Sequence, residues 1–214
     1  MKVIIVGSGG HAAEISDYIQ YSNSQNSSDA TFEIIGYLDD NFNNYLHYCL
    51  PFPYLGNISD YKIVPHVQYI IGIANLVYRK KFVELFLESV AKFSSYIHPT
   101  ASISSSAKMG EGVVIAPNVN LDPNAYVGDF SLGNSKVSLS HDSKVGEYNF
   151  LSPNVCFSGF TQFGDENLFG VNSATIPGIK IGNRNKIMAG MTRDKNVGDC
   201  EVVFYRFKEK VNMI

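Results

Sequence analysis

The stretch "SLSHDSKVGEYNFL", residues 138–151, repeats an apolar residue at every sixth position, at Leu139, Val145 and Leu151. A period of six drifts off a helix turn of 3.6 residues, so this is not a helical pattern. The polar pair His141 and Asp142 lies between two of the apolar positions. We therefore expect the pair to stand at a bend of a repeating structure, outside its core.

The same spacing extends in both directions, from Ile97 to Ile187. Fourteen of its sixteen positions are apolar, although the chain is only 45% hydrophobic and about seven would be expected from that base rate. The sixteen positions are Ile97, Ile103, Met109, Ile115, Leu121, Val127, Gly133, Leu139, Val145, Leu151, Phe157, Phe163, Phe169, Thr175, Ile181 and Ile187. The pattern predicts a parallel β-helix in which three hexapeptides make one coil and the apolar residues stack inside.

Glycine follows the apolar residue of the repeat at six places, namely Gly110, Gly128, Gly146, Gly164, Gly170 and Gly182. We expect glycine, asparagine and aspartate to supply the backbone of the corners between strands. The alternative of ordinary short antiparallel strands remains open.

The first 96 residues follow a different pattern. The segments "MKVIIV", "TFEIIGYLDD" and "VQYIIGIAN" read as strands, and the segments after the first and third read as helices with apolar spacing of three and four. Alternating strands and helices predict a small parallel α/β unit. We therefore divide the chain into an α/β domain at 1–96, a β-helix at 97–198 and a C-terminal tail at 199–214.

A glycine-rich loop, "GSGGHAAE", joins the first strand to the first helix. Its backbone N–H groups at a helix start form an anion site suited to a nucleotide or nucleotide sugar, although a turn without a ligand has the same sequence. His11 either lines that pocket or caps the turn. Asn75 and Arg79 follow the third strand and would face the same crevice, or form a helix cap and a solvated face.

The 214 residues include 17% charged residues, a net charge of −3 and three cysteines without ligand-like spacing. These numbers argue against a nucleic-acid-binding protein, a disulfide framework and a zinc knuckle, and they favour a reducing cytoplasm. The sequence holds no apolar run of membrane-spanning length.

His141 stands one coil below Gly159, because the two lie 18 residues apart. A side-chain base beside a bare backbone N–H matches the needs of acyl transfer: the base accepts a proton, and the N–H stabilises an oxyanion. Asp142 could hold the imidazole tautomer if the corner turns it towards His141. The alternative is that His141 and Asp142 are a polar pair at a corner without a catalytic role.

Several segments in order resemble the left-handed β-helix acyltransferases, in particular the bacterial sialic acid O-acetyltransferase and nucleotide-amino-sugar N-acetyltransferase family. The resemblance covers residues 1 to about 198 and rests on "VGSGGHAAEI", "GYLDD", "IGIAN…R", "IHPTA", "GNSKVSLSHD…VG", "SPNVCFSG" and "IPGIKIGNRNKIMAG". It implies an α/β Rossmann-like subdomain followed by a left-handed parallel β-helix, a homotrimer with active sites between adjacent β-helices, acetyl-CoA as co-substrate without a metal, and a nucleotide sugar held by the N-terminal unit.

The resemblance also implies roles for single residues. His141 would be the general base, Asp142 its orienting acid and Gly159 the oxyanion donor. The remaining matches are Asn134 at the preceding corner, Gly9, Gly10 and His11 in the nucleotide-sugar loop with Asp39 nearby, and Ala189 and Gly190 beside the pantetheine arm of CoA. Phe150 departs from the family, which often carries a second histidine there.

The sequence thus predicts a cytoplasmic acetyltransferase that acts on the amino group of a nucleotide-activated deoxy-amino sugar in surface glycan biosynthesis. The alternatives are a sugar O-acetyltransferase of the sialic acid type and a non-catalytic nucleotide-sugar-binding trimer. A metal-dependent enzyme on the same coil would need three interfacial histidines, but only His98 and His141 lie in the repeat.

Overall fold

A computed structural model describes residues 1–25 and 31–205 of the chain. The N-terminal part is an α/β domain with the elements β1 (Lys2–Val6), α1 (Gly10–Gln25), β2 (Glu33–Leu38), α2 (Phe42–His47), β3 (Tyr54–Gly56), β4 (Gln68–Ile71) and α3 (Leu76–Glu88). Its four strands are parallel and form sheet 1 in the order β3-β2-β1-β4. The three predicted strands and two predicted helices are all present.

The sequence pattern does not predict two elements of this domain, namely α2 and β3. Helix α2 buries none of its residues, so it has no apolar periodicity to detect. Strand β3 is three residues long and follows Pro51 and Pro53, and prolines normally demote a segment from strand to loop.

From Tyr96 the chain winds through eighteen two-residue strands in three parallel sheets. Sheet 2 contains β5 (Tyr96–Ile97), β8 (Val114–Ile115), β11 (Leu132–Gly133), β14 (Phe150–Leu151), β17 (Leu168–Phe169), β20 (Lys186–Ile187) and β22 (Val202–Val203). Sheet 3 contains β6 (Ser102–Ile103), β9 (Asn120–Leu121), β12 (Ser138–Leu139), β15 (Cys156–Phe157), β18 (Ala174–Thr175) and β21 (Thr192–Arg193). Sheet 4 contains β7 (Lys108–Met109), β10 (Tyr126–Val127), β13 (Lys144–Val145), β16 (Gln162–Phe163) and β19 (Lys180–Ile181).

Strands pair with the strand 18 residues later, as Leu132 does with Phe150 and Phe150 with Leu168, except at the last coil, where Lys186 of β20 pairs with Val202 of β22, 16 residues later. The second residue of each strand points inward, and from Ile115 to Ile187 these residues are buried in one continuous core with the predicted period of six. Ile97 is an exception, since it is 41% exposed at the first coil, where no earlier coil covers it. The part of the predicted tail from 206 onward lies outside the described residues, whereas β22 pairs with β20.

The expected residue types, glycine, asparagine and aspartate, fill eight of the fourteen left-handed corners, and other residues fill six. One residue in each hexapeptide has a positive φ, at fourteen consecutive corners: Gly112, Asn118, Asn124, Phe130, Lys136, Asp142, Tyr148, Asn154, Phe160, Glu166, Asn172, Gly178, Arg184 and Gly190. Glycines that follow the apolar residue, such as Gly128, are not among them. A Cβ on Gly128 would lie 2.5 Å from the carbonyl carbon of Gly146, so that glycine permits close contact between coils and not a left-handed backbone.

The α/β domain covers the outer surface of sheet 2. Val114 and Leu132 point outward from this sheet and are fully buried in one cluster with Ile15 and Ile19 of α1. Burying a side chain of this size contributes about 1.5–3 kcal/mol. Among the described residues, no comparable domain packs on the outer surfaces of sheets 3 and 4, so within this part of the chain the three-sided coil has one covered face and two open faces. Within residues 1–25 and 31–205, no helix combines the length and the hydropathy needed to span a bilayer.

Candidate active site

His141 and Asp142 form a hydrogen-bonded pair at the corner between sheets 3 and 4. Asp142 has a φ of 58°, and this left-handed backbone turns its carboxylate back towards its neighbour. The Nδ1–H of His141 donates to Oδ2 of Asp142 at 2.9 Å, and Nδ2 of Asn124, one coil earlier, donates to the other oxygen at 3.0 Å. These hydrogen bonds, from His141 first and Asn124 second, hold the pKa of the Asp142 carboxyl below its usual range. An ionised Asp142 fixes the tautomer that leaves the Nε2 lone pair of His141 free.

Gly159 lies directly over the imidazole of His141. A Cβ at this glycine would come within 2.8 Å of both Cε1 and Nε2 of the ring, so any other residue would displace the imidazole. Among the described residues, the Gly159 N–H donates no hydrogen bond. The stacked positions below His141 and above Gly159 are Pro123 and Pro177, which have no N–H. This corner therefore pairs a free imidazole nitrogen with an unused backbone donor.

A cavity of about 560 Å³ opens at the carboxyl ends of the strands of sheet 1. Its walls include Gly9, Gly10, His11, Asp39 and Asn75. The first three lie at the N-terminus of α1, where unpaired N–H groups and the helix dipole favour an anion. The structure thus gathers five of the predicted binding residues around one space.

His11 lines this cavity, and one nitrogen of its buried imidazole has no partner among the described residues. This nitrogen is Nε2, while Nδ1 lies 3.2 Å from a carboxylate oxygen of Glu14, and the side chain is 7% exposed. Burial is the main cause that lowers the pKa of His11, so the neutral imidazole is favoured. A buried polar atom without a partner is costly, so a group that supplied this hydrogen bond would stabilise the site.

Asp39 and Asn75 both serve the loops that shape this cavity. Both carboxylate oxygens of Asp39 are engaged, because Oδ2 accepts from the N–H and the hydroxyl of Ser8 at 2.7 and 2.8 Å, and Oδ1 accepts from the N–H of Asn41 at 2.8 Å. The side chain of Asn75 caps α3 by accepting from the N–H groups of Val77 and Tyr78. Asn75 therefore both caps helix α3 and lines the cavity, two roles between which the sequence pattern could not decide.

Arg79 does not reach the cavity or a solvated face, the two positions that the sequence allowed. Its guanidinium is fully buried and donates to the carbonyls of Ile73 at 2.7 Å, Phe130 at 2.8 Å and Ile71 at 3.3 Å. Burial lowers its pKa to about 9. Because Ile73 lines the cavity and Phe130 belongs to a corner of the β-helix, Arg79 ties the cavity loop to the coil. Only long-range packing reveals this role.

Asn134, Ala189 and Gly190 lie on the corner between sheets 2 and 3. The side-chain oxygen of Asn134 accepts from the N–H of Ser135 at 2.7 Å. Ala189 and Gly190 line a second cavity of about 440 Å³ together with the C-terminal residues Phe204 and Tyr205. Phe150, where a second histidine was expected from the resemblance, is half-buried and packs against the cluster between sheet 2 and α1.

The predicted residues thus occupy two separate sides of one chain. His141 and Gly159 lie on the corner opposite sheet 2, whereas Asn134, Ala189 and the cavity of the α/β domain lie on or beside sheet 2. Sheet 3 lies between the corner of His141 and Gly159 and the corner of Asn134, Ala189 and Gly190. Among the described residues, no group of three or more histidine, cysteine, aspartate or glutamate side chains is arranged to hold a metal ion.

Comparisons with known proteins agree with this architecture. Residues 2–86 match the family model of the PglD N-terminal domain. The UDP-N-acetylbacillosamine N-acetyltransferase of Bacillus subtilis is 31% identical over 118 residues, an alignment that spans 53% of this chain and about half the length of that relative.

Solved structures share the whole fold. The acetyltransferase domain of PglB from Neisseria gonorrhoeae, also solved in complex with acetyl coenzyme A, superposes with a TM-score of 0.81 at 21% identity, covering 94% of this chain and 95% of that one for the unliganded form. A variant of GDP-perosamine N-acetyltransferase from Caulobacter crescentus, in complex with CoA and GDP-perosamine, gives a TM-score of 0.80 at 22% identity over 94% and 92%. The predicted fold, an α/β subdomain followed by a left-handed parallel β-helix, is confirmed. Residues 2–86 are thus similar to the PglD N-terminal domain, and the whole chain shares the fold of these solved acetyltransferase structures.

Proposed function

We propose that the protein transfers the acetyl group of acetyl-CoA to the amino group of a nucleotide-activated deoxy-amino sugar. The observation that carries this proposal is the corner at His141, where Asp142 holds Nδ1, Nε2 is free and the unused N–H of Gly159 lies on the next coil. Two of the proteins named above are N-acetyltransferases and the third is an acetyltransferase domain, and two of the three have been solved with acetyl-CoA or CoA.

In the proposed reaction, the lone pair of the neutral sugar amine attacks the thioester carbonyl carbon. Nε2 of His141 accepts a proton from the attacking nitrogen, and the N–H of Gly159 donates to the oxyanion of the tetrahedral intermediate. The C–S bond then breaks, the carbonyl re-forms and the proton on His141 passes to the departing thiolate. The products are the N-acetylated sugar and coenzyme A, and Asp142 keeps the imidazolium aligned throughout.

The cavity of the α/β domain would hold the nucleotide part of the acceptor. The N–H groups at Gly9 and Gly10 and the dipole of the 16-residue helix α1 favour a diphosphate there. His11 and Asn75, which both line this cavity, would contact the ligand. The engaged carboxylate of Asp39 would keep the loop in place.

We further propose a homotrimer with the active sites between neighbouring chains. A single chain separates His141 from its own acceptor cavity by the width of the coil, because the α/β domain packs on sheet 2 and His141 lies on the opposite corner. The two edges of sheet 3 carry complementary halves, so three copies arranged with sheet 3 facing inward would close each site heterologously. Acetyl-CoA would then lie between His141 of one chain and Ala189 and Gly190 of the next.

The reaction would supply N-acetylated sugar nucleotides to surface glycan biosynthesis in the cytoplasm. Thiol release from acetyl-CoA, measured with a panel of nucleotide amino sugars, tests the activity and identifies the substrate. We expect His141→Ala to lower kcat by about 10²- to 10⁴-fold while the rise in melting temperature caused by the acceptor persists. His66→Ala, at an exposed histidine of the other domain, is the matched control. Near-normal transfer by His141→Ala would exclude the mechanism, and acceptor binding without any thiol release would indicate a non-catalytic binding protein.

A further inference from the structure

Three aromatic residues of the β-helix occupy left-handed corner positions, namely Phe130, Tyr148 and Phe160, with φ values of 54°, 52° and 61°. A side chain with a Cβ is strained in this conformation, and asparagine, aspartate or glycine fits it better. Gly178, on the coil above Phe160, shows that glycine is accommodated at this corner. Each aromatic residue therefore needs a reason to be there.

Packing explains two of the three. Phe130 is buried, Tyr148 is partly buried, and their rings stack at 5.3 Å within the cluster under α3. Phe160 has no such role, because it is 57% exposed. Among the described residues, the only ring that it contacts is the imidazole of His141, with centroids 5.0 Å apart and an interplanar angle of 87°. The backbone N–H of Phe160 also donates to the carbonyl of His141 at 3.1 Å.

The imidazole of His141 is therefore held from three directions. Asp142 binds Nδ1, Gly159 lies over the edge formed by Cε1 and Nε2, and the ring of Phe160 packs perpendicular to the imidazole. His141 itself is half-exposed, so the carboxylate contact alone leaves its side chain open to other rotamers. Unexplained backbone strain at a reactive corner is an indication of function.

We propose that Phe160 is a positioning residue that keeps the imidazole of His141 in the one orientation in which Nε2 lies beside the N–H of Gly159. The effect on catalysis rests on the function proposed above, whereas the effect on the imidazole does not. Phe160 acts through His141, and the nucleotide cavity of its own chain lies on the other side of the coil.

Three variants at this corner separate positioning from simple stabilisation. Phe160→Asn and Phe160→Gly remove the ring and relieve the strained backbone, and Phe160→Tyr keeps a ring of the same shape. Arg184→Gly is the matched control, since Arg184 is an exposed left-handed corner residue with a φ of 55° on the opposite edge of sheet 4. We expect both ring-free variants to melt at or above the wild-type temperature.

We expect kcat to fall about 10- to 100-fold in Phe160→Asn and Phe160→Gly, because small displacements of a reacting group cost rates of this order. KM for both substrates should stay within about twofold, Phe160→Tyr should restore most of kcat, and Arg184→Gly should leave kcat unchanged. Retention of full kcat by Phe160→Asn would overturn the proposal. So would an equal loss in Phe160→Tyr, since the ring would then not be the cause.

A second measurement does not depend on activity. In ¹H–¹³C NMR spectra of the ligand-free protein, the Cε1–H signal of His141, assigned with His141→Ala, should be single in the wild type. In Phe160→Asn it should broaden or split, beyond the shift that loss of the phenyl ring current alone produces, because the imidazole samples further rotamers. If the signal in Phe160→Asn stays single with its wild-type linewidth, Phe160 does not position His141, whether or not the protein is an acetyltransferase.

Discussion

Two corners of the β-helix share one backbone and serve different purposes. At the corner between sheets 4 and 2, the left-handed residues Phe130, Tyr148 and Glu166 receive helix α3, through the bond from Arg79 to the Phe130 carbonyl and an ion pair of 2.8 Å between Lys80 and Glu166. At the corner between sheets 3 and 4, the equivalent positions hold Asp142 and Phe160, which surround an exposed histidine. The repeat thus fixes where a side chain stands, and the residue at the left-handed position decides whether the corner binds a domain or arranges a reactive group.

The largest expected effect comes from filling the space above His141. Gly159→Ala places a methyl group within 2.8 Å of the imidazole, so the ring must leave its position beside the backbone N–H. We expect kcat to fall about 10²- to 10³-fold, the order found when one oxyanion donor is lost. Steady-state kinetics with acetyl-CoA measure this loss of kcat.

Cys156→Ala is the control for Gly159→Ala, since Cys156 is an exposed residue at the strand before the same corner. It should leave kcat within about twofold of the wild type. An active Gly159→Ala variant would show that the corner between sheets 3 and 4 is not the reactive one.

The second largest effect is expected at the corner between sheets 4 and 2, where helix α3 packs on the β-helix. Arg79→Met removes the donor to the carbonyls of Ile71, Ile73 and Phe130, which stay buried. We expect the free energy of unfolding to fall by about 2–4 kcal/mol, since each unsatisfied buried group costs about 1–3 kcal/mol and part of this is recovered because an unpaired buried charge is also removed. Urea denaturation measures this fall in the free energy of unfolding.

Arg79→Lys keeps an amine donor at this position. Its free energy of unfolding should therefore lie between those of the wild type and Arg79→Met. Equal stability of Arg79→Met and the wild type would mean that the guanidinium does not hold the α/β domain on the coil, and that sheet 2 and α1 suffice.

The smallest expected change in the free energy of unfolding comes from the backbone strain at a single left-handed corner residue. Lys136 is exposed, has a φ of 62° and contributes to neither corner compared above. Lys136→Gly should raise the free energy of unfolding by about 0.5–1 kcal/mol by removing the left-handed strain, less the entropy that glycine adds to the unfolded chain. Thermal melts of Lys136→Gly and Asn154→Gly compare the two residue types, and Asn154→Gly should gain less because asparagine tolerates the conformation. A loss of stability in Lys136→Gly would contradict the account of strain at these corners.

The sequence predicts the coil well because its signal is local and repeated. Leu139, Val145 and Leu151 each mark an inward position, and the addition of 18 residues places Gly159 over His141 without further information. The left-handed residues are predicted only in part, because aromatic residues, lysine, glutamate and arginine occupy six of the fourteen positions beside the expected glycine, asparagine and aspartate. Arg79 escapes prediction because its partners lie up to 51 residues away in the chain, and helix α2 because it buries nothing.

The central claim is that His141 of one chain acts on an acceptor held by another. Its direct test is complementation between His141→Ala and Gly9→Phe, which places a ring in the acceptor cavity where a Cβ meets nothing within 4 Å. Each variant alone should be inactive. When the two are co-expressed in equal amounts, about one quarter of the sites should combine an intact cavity with an intact His141, so the mixture should recover about a quarter of the wild-type activity. A mixture as inactive as its parts would contradict the account, because the acceptor cavity and the base would then have to come from one chain.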